Sequence, residues 1–142
     1  MITGSCLCGA VRIQVDGKLG PAVYCHCSQC RRAGGSAFAT NANVRARYLR
    51  LDGREVIREY ESSPGKFRAF CSRCGSPIYS RLASDPETYR LRLGTLDGDP
   101  GRRPVAHGFV GSKAPWFELP DDGLPRYESW IEPVPKAKDE PR

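Results

Sequence analysis

Seven cysteines among 142 residues constrain this chain more than any other feature of its sequence. They form three local groups: Cys6 and Cys8, then Cys25, Cys27 and Cys30, then Cys71 and Cys74. An odd number of cysteines cannot pair completely into disulfides within one chain. Clustered cysteines in a reducing compartment usually bind metal or take part in catalysis. We therefore interpret the groups as metal ligands, with a disulfide framework as the weaker alternative.

The two cysteine pairs have the spacing of a structural zinc site. Residues i and i+2 of an extended segment face the same way, so a Cys-x-Cys pair presents two thiolates together. The Cys-x-x-Cys pair precedes Gly75, which can adopt a positive φ and let backbone N–H groups turn toward sulfur. Cys6, Cys8, Cys71 and Cys74 would then hold one zinc ion and clip the first strand to the middle of the chain.

The remaining triple, Cys25, Cys27 and Cys30, supplies three ligands within six residues. Tetrahedral zinc with three protein ligands is the arrangement of catalytic zinc, and a thiolate-rich site favours a soft incoming ligand such as a thiol. A closed site with a histidine as fourth ligand is one alternative, and iron–sulfur ligation is another. His26 lies between two ligands and should point away from the ion, whereas His107 is distant in sequence and could either reach the site or be an ordinary histidine.

Hydrophobic alternation and turn signals predict a mostly β single domain with short helical turns and two zinc sites. The predicted strands cover residues 11–15, 22–25, 38–44, 55–61, 66–71, 77–82, 89–93 and 105–110. Short helical turns are predicted at residues 28–33, ending at Gly34-Gly35, and around residues 114–117. Beyond residue 130 the chain is rich in Pro, Lys, Asp and Glu. We therefore predict a domain over residues 1–130 and a poorly ordered tail over residues 131–142.

The net charge of +6 is concentrated between Arg45 and Arg73, where eight Lys and Arg face four acidic residues. This excess could attract an anionic small molecule or a nucleic acid. The interleaved acids favour a solvated strand surface, so we do not expect a nucleic-acid partner. No apolar run approaches the roughly 18 residues of a membrane span, so we expect no membrane association. Residues 1–9 show no signal-peptide pattern, and we expect a cytoplasmic location.

Three segments of the sequence resemble the glutathione-dependent formaldehyde-activating enzyme family, to which centromere protein V also belongs. They are Gly4-Ser5-Cys6-Leu7-Cys8-Gly9-Ala10-Val11, Cys25-His26-Cys27-Ser28-Gln29-Cys30-Arg31 and Phe70-Cys71-Ser72-Arg73-Cys74-Gly75-Ser76-Pro77. His107 and the segment Ser112-Lys113-Ala114-Pro115-Trp116 also look like the C-terminal pattern of the family. The resemblance covers roughly residues 3–127.

This resemblance implies a β-tent fold and two zinc ions, with Cys6, Cys8, Cys71 and Cys74 as the structural set. It implies that Cys25, Cys27 and Cys30 are the catalytic set of a carbon–sulfur lyase, the adduct being S-(hydroxymethyl)glutathione.

The leading hypothesis from the sequence is therefore a zinc-dependent enzyme that acts on thiol adducts of small electrophiles. Arg31 and Arg32 follow the third ligand directly and are the candidates for binding the carboxylates of glutathione, although they could equally be solvated helix residues. A zinc-stabilised binding module without catalysis and a zinc or redox reservoir are the alternative functions.

Overall fold

The computed structural model describes residues 1–131, and these form a mostly β fold, as predicted. Within them lie ten strands, one α-helix and four short 3₁₀ helices. In chain order the strands are β1 (Ile2–Ser5), β2 (Arg12–Val15), β3 (Ala22–Cys25), β4 (Ala39–Arg45), β5 (Leu49–Asp52), β6 (Ile57–Ser63), β7 (Lys66–Cys71), β8 (Pro77–Leu82), β9 (Asp85–Arg92) and β10 (Pro104–Gly108). The helix, α1, spans Ser28–Gly34.

The chain divides into two compact units, each built from two stretches of sequence. The first unit contains Met1–Gly20 and Ala42–Gly101, and the second contains Pro21–Asn41 and the described residues from Arg102 onward. The predicted tail lies outside the described residues except for Ile131, which is buried.

A three-stranded antiparallel sheet in the first unit has the order β1-β2-β5. Strand β2 buries Ile13 and Val15 and exposes Arg12, which is the period-two pattern of a strand with one face in the core. Strand β1 ends at Ser5, so the first cysteine pair follows directly from the edge of this sheet.

The second sheet of the first unit has the order β4-β9-β8-β7-β6, with residues 42–45 of β4 belonging to this unit. Strands β6 and β7 form a hairpin in which Ser63 pairs with Lys66 across a turn at Pro64-Gly65. Gly65 has a φ of 75°, a conformation in which glycine avoids the strain that a side chain brings. Strand β7 ends at Cys71, which places the second cysteine pair at the end of the sheet.

In the second unit the strand order is β10-β3-β4, to which β4 contributes residues 39–41. Strands β10 and β3 are parallel, and Gly108 pairs with Cys25 where both strands end. Helix α1 then begins after Cys27 and ends at Gly34, and the N–H of the capping residue Gly35 donates to the Arg31 carbonyl over 2.8 Å. The predicted helix over residues 28–33 is therefore confirmed to within one residue.

The fold differs from the predictions in several details: β6 begins two residues later than predicted, at Ile57, and β9 begins four residues earlier, at Asp85. Strands β1 and β5, of four residues each, were not predicted: β1 shows no apolar alternation, and β5 alternates but is short. The helical turn predicted around Ala114–Phe117 is wrong: the 3₁₀ helix lies at Val110–Ser112. Residues 114–117 instead form a turn in which the Phe117 N–H donates to the Ala114 carbonyl, while the Lys113 ammonium donates to the Phe117 carbonyl over 2.7 Å. The Lys113 ammonium thus binds the Phe117 carbonyl, which in a continuing helix would accept a hydrogen bond from a later backbone N–H.

We predict that Gly53→Ala destabilises the fold much more than Gly65→Ala. Both glycines have a positive φ, so both substitutions carry conformational strain of about 1–2 kcal/mol. A Cβ at Gly53 would in addition overlap the Ala10 carbonyl oxygen, whereas a Cβ at Gly65 meets open space. Denaturant unfolding of the metal-loaded protein should show a loss of about 3 kcal/mol or more for Gly53→Ala. Equal losses in the two variants would contradict the packing described around Gly53.

Candidate metal centres

The first cluster of cysteines brings together the two pairs that are distant in sequence. The sulfurs of Cys6, Cys8, Cys71 and Cys74 all lie within 4.8 Å of one another. The Cys6 and Cys8 sulfurs are 3.5 Å apart, and those of Cys8 and Cys71 are 3.8 Å apart. Zinc–sulfur bonds of about 2.3 Å in a tetrahedron separate the sulfurs by about 3.8 Å. The predicted grouping is therefore formed, and its spacing fits a zinc ion.

Each pair in this four-cysteine cluster is shaped by a glycine that follows it. The Gly9 N–H donates to the Cys6 carbonyl over 3.1 Å, and the Gly75 N–H donates to the Cys71 carbonyl over 2.8 Å. Both glycines have a φ of 78°. The Val11 N–H donates to the Cys6 sulfur over 3.2 Å, a contact that stabilises a thiolate. The two glycine turns thus help to bring the four sulfurs close together.

Hydrogen bonds favour ionised sulfur at Cys74 but not at every member of this cluster: the Ala10 backbone acts to lower the pKa of Cys8, yet the neighbouring Cys6 sulfur and burial raise it to about 11. Hydrogen bonds from the Ser76 side chain and backbone lower the pKa of Cys74 to about 5. The Ser76 hydroxyl oxygen also accepts from the Leu7 N–H over 2.9 Å, so it joins the two halves of the cluster. Ser76 is a contributor that sequence reasoning did not single out, although it belongs to the Cys-Gly-Ser segment.

The second cluster is local and lies where β3 passes into α1. The sulfurs of Cys25, Cys27 and Cys30 are all within 4.8 Å of one another. Cys25 and Cys30 are buried, and Cys27 is half-buried. The Cys27 sulfur caps the helix by accepting from the Cys30 N–H over 3.2 Å. The strand end and the first helical turn therefore converge the three predicted ligands.

The electrostatics of the three-cysteine cluster indicate a need for a cation. Hydrogen bonding to Cys27 and Cys30 raises the pKa of the Cys25 thiol, and burial raises it further. Three neighbouring thiols therefore resist ionising together when no cation is present. A divalent ion with soft-ligand preference would reverse this, because it favours thiolates outright. The donor set, three sulfurs in one group, fits zinc as the four-cysteine set does.

Neither histidine joins the three-cysteine cluster. Among residues 1–131, the groups of His, Cys, Asp and Glu side chains that lie close enough together to hold a metal ion contain only cysteines. His26 Nε2 lies 2.9 Å from His107 Nδ1, and His107 Nε2 lies 2.7 Å from Asp122 Oδ2. His26 thus avoids the ligand role, as predicted, and both nitrogens of His107 have other partners. The alternative of a site closed by one of these histidines is not supported within the described chain.

Asp122 was not foreseen from the sequence, although both histidines were considered. The sequence signal for a role of Asp122 is weak, because Pro120-Asp121-Asp122-Gly123 predicts only a turn. Its contact with His107 spans fifteen positions of an irregular segment. No periodicity predicts such a contact.

The two arginines proposed for carboxylate binding lie on α1 directly after Cys30. The Arg31 Nε donates to the Ser112 carbonyl over 3.2 Å, and this bond ties the helix to the 3₁₀ helix at Val110–Ser112. Arg32 is exposed. Both also lie in the last turn of the helix, where cations interact favourably with the helix dipole. Arg31 and Arg32 thus follow the third ligand directly along α1, at the next two positions of the helix.

Comparison with known proteins assigns the chain to a family. The sequence pattern of the family described as "Glutathione-dependent formaldehyde-activating enzyme" matches residues 1–112. The chain belongs to this family. A Halomonas elongata protein, whose name gives it a provisional assignment as a glutathione-dependent formaldehyde-activating enzyme, is 35% identical over 131 residues. The alignment covers 84% of this chain and 81% of that protein.

A solved structure is also similar to this chain. The crystal structure of a Rhodobacter sphaeroides protein, a structural genomics target, is similar with a TM-score of 0.58 and 34% identity. The similarity covers 68% of this chain and 89% of that protein. The resemblance inferred from the three cysteine segments is therefore confirmed at the level of the family. Within residues 1–131, no helix has both the length and the apolar character that a membrane crossing requires.

We predict that mild chelation of the zinc-loaded protein releases two ions in sequence. The ion at Cys25, Cys27 and Cys30 should leave first, because only one short segment holds it. The ion of the four-cysteine site should remain longer, since its ligands come from distant segments and its loss is coupled to unfolding. A colorimetric zinc indicator and circular dichroism would follow release and folding together.

Two single variants assign the phases of this release. Cys27→Ala should remove the early phase and change the melting temperature little, whereas Cys74→Ala should unfold the protein or lower its melting temperature sharply. Simultaneous release of both ions, or similar melting losses in the two variants, would show that both sites are structural.

Proposed function

We propose that this protein is a zinc-dependent carbon–sulfur lyase that acts on glutathione adducts of small aldehydes such as formaldehyde. The observation that carries the proposal is the convergence of three sulfurs, from Cys25, Cys27 and Cys30, with no fourth protein ligand among residues 1–131. Membership of the glutathione-dependent formaldehyde-activating family supports a thiol substrate.

In this reaction the charge that must be stabilised develops on one sulfur atom. In S-(hydroxymethyl)glutathione the carbon–sulfur bond breaks and its electron pair stays on sulfur. The carbon–oxygen bond becomes the carbonyl of formaldehyde, and the hydroxyl proton passes to sulfur or to solvent. The reverse steps form the adduct. Stabilising a thiolate is therefore the main task of a catalyst for either direction.

The three-cysteine cluster suits that task. A zinc ion bound there would supply a soft Lewis acid that lowers the pKa of an arriving thiol. The three thiolates carry more negative charge than the ion can neutralise, so the site favours sulfur over the activation of water. Cys25 and Cys30 are buried, and the partly exposed Cys27 leaves one side of the cluster accessible.

Glutathione also carries two carboxylates, which need cationic partners. Arg31 and Arg32 are the candidates, because they follow Cys30 on α1. The Nε of Arg31 is engaged by Ser112, which orients its guanidinium. Arg32 is exposed to solvent and is the more adaptable of the two. Their place directly after Cys30 in the sequence of α1 supports a role in orienting the peptide.

Catalysis accounts for the site better than the alternatives do. A zinc-stabilised binding module has no use for a second site that lacks a fourth protein ligand. A metal or redox reservoir would use the labile ion but would need no cations beside it. We also propose that the protein acts in the cytoplasm and without nucleic acid.

The basic stretch supports the absence of a nucleic-acid partner, because several of its arginines contact neighbours on the same surface. Arg45 donates to Thr88, and Arg68 donates to Ser62. Arg58 donates to two backbone carbonyls. A phosphate-binding face requires clustered cations that are free to contact phosphate oxygens.

We predict that glutathione binds the zinc-loaded protein more tightly than S-methylglutathione does. The thiol can ionise and use its sulfur as a strong donor, whereas the thioether cannot ionise. Isothermal titration calorimetry should show at least a tenfold difference in affinity, equivalent to about 1.4 kcal/mol. Cys27→Ala, which removes one ligand, should abolish the difference. Equal binding of the two peptides by the unmodified protein would remove the main support for catalysis.

We predict that replacing Arg31 and Arg32 together by Gln weakens glutathione binding by a few kcal/mol at most. This is the scale of two charge-assisted hydrogen bonds. Arg32→Gln alone should leave the melting temperature nearly unchanged, because the side chain is exposed. Binding titrations in low and high salt would measure how much of the binding free energy is electrostatic. Unchanged affinity in the double variant would place the carboxylate partners elsewhere.

A further inference from the structure

A buried chain of side chains connects the three-cysteine site to the C-terminal part of the second unit. His26, between two of the ligands, is fully buried, and His107 is 2% exposed. Their rings meet through His26 Nε2 and His107 Nδ1 at 2.9 Å. The chain ends at Asp122, whose carboxylate contacts His107 Nε2 at 2.7 Å and is about one quarter exposed.

The chemistry of these groups sets the direction of the hydrogen bonds. The bond from His107 lowers the pKa of Asp122, so its carboxylate is ionised at neutral pH and can only accept. His107 Nε2 therefore donates. When both rings are neutral, His107 Nδ1 is an acceptor, and His26 Nε2 donates to it. In that state the two hydrogen bonds fix the tautomer and the orientation of each ring.

Hydrogen bonds to the backbone hold both ends of this series of side chains, at Asp122 and at His26. The Leu124 N–H donates to Asp122 Oδ1 over 3.0 Å and fixes the carboxylate. His107 accepts from the Tyr127 N–H and donates its own N–H to Pro125, each over 2.9 Å. At the other end, the His26 N–H donates to the Gly108 carbonyl over 2.9 Å. The segment at residues 122–127 is thereby linked to the loop that carries the sulfurs.

Aromatic rings prevent the two histidines from rotating freely. Tyr24 stacks on His107 with ring centroids 4.8 Å apart, and Phe117 stacks on His26 at 5.9 Å. His26 Nδ1 is buried and has no well-formed hydrogen bond within residues 1–131, so the bond to His107 is what orients the ring.

We propose that His107 and Asp122 are positioning residues of the three-cysteine site: through His26 they fix the loop between Cys25 and Cys27, and so the geometry of its sulfurs. This proposal rests on the proposed function only in requiring that the three sulfurs bind a metal ion. A ring locked between two ligands restricts the backbone on both sides, which reduces the ordering needed when the site binds an ion.

Cobalt(II) provides the test, because its d–d absorption bands report ligand geometry without any need for glutathione. The protein would be loaded with Co(II) at both sites, and each affinity would be measured by chelator competition. His107→Phe keeps a ring to stack on Tyr24 but loses both hydrogen bonds. We expect it to weaken Co(II) binding at the three-cysteine site about tenfold or more and to shift the bands of that site. The four-cysteine site should keep its affinity and spectrum.

Phe117→Leu is the matched control, since it removes a ring packed on His26 and leaves the hydrogen-bonded chain intact. It should lower stability and leave the cobalt spectrum unchanged. Equal spectral changes in Phe117→Leu and His107→Phe would overturn the proposal in favour of general packing. Unchanged affinity and spectrum in His107→Phe would also overturn it.

Asp122→Asn decides the question if His107→Phe does not fold. It changes only the partly exposed end of the chain, and we expect a weaker shift in the same direction. An unchanged spectrum in this variant would overturn the proposal. Two bound cobalt ions without any affinity for glutathione would refute the proposed function and leave this inference standing. A single bound cobalt ion, held by the four-cysteine site, would refute both.

Discussion

Sulfur atoms crowded within 4.8 Å of one another can carry several negative charges together only beside a cation. This constraint applies to four thiols in the first unit and to three in the second. Without a cation, hydrogen bonding between the sulfurs and burial raise the pKa of Cys25. With a soft divalent ion, the same crowding becomes a binding site. The connections around each cluster follow from the need to hold sulfurs at this spacing.

The two clusters meet this constraint in different ways. The four-cysteine site joins the end of β1 to the end of β7, and two glycine turns shape it. Its geometry exists only when the strands are in place, so metal binding and folding are coupled. The three-cysteine site uses a strand end and one helical turn, and it leaves Cys27 partly exposed. We therefore propose that, with metal bound, stability depends mainly on the first site and that the chemistry takes place at the second.

The sequence predicted the parts of this molecule that depend on local pattern. Cysteine spacing predicted both clusters, and the role of Gly75 followed from its place after the Cys-x-x-Cys pair. Strand β7 was predicted to the residue. The elements that depend on tertiary pairing could not be predicted in this way. Strand β1 forms because it pairs with β2, and its own four residues carry little sequence signal. Asp122 could not be predicted as a partner of His107, because an irregular segment brings them together.

The central claim is that one site is complete in sulfur and the other accepts a further sulfur from a thiol. X-ray absorption at the zinc edge measures this directly, because it counts sulfur neighbours per zinc. Seven cysteines around two ions predict about 3.5 sulfurs per zinc in the free protein. Saturating glutathione should raise the count to about 4. A count that starts near 4, or one that glutathione leaves unchanged, would contradict the account.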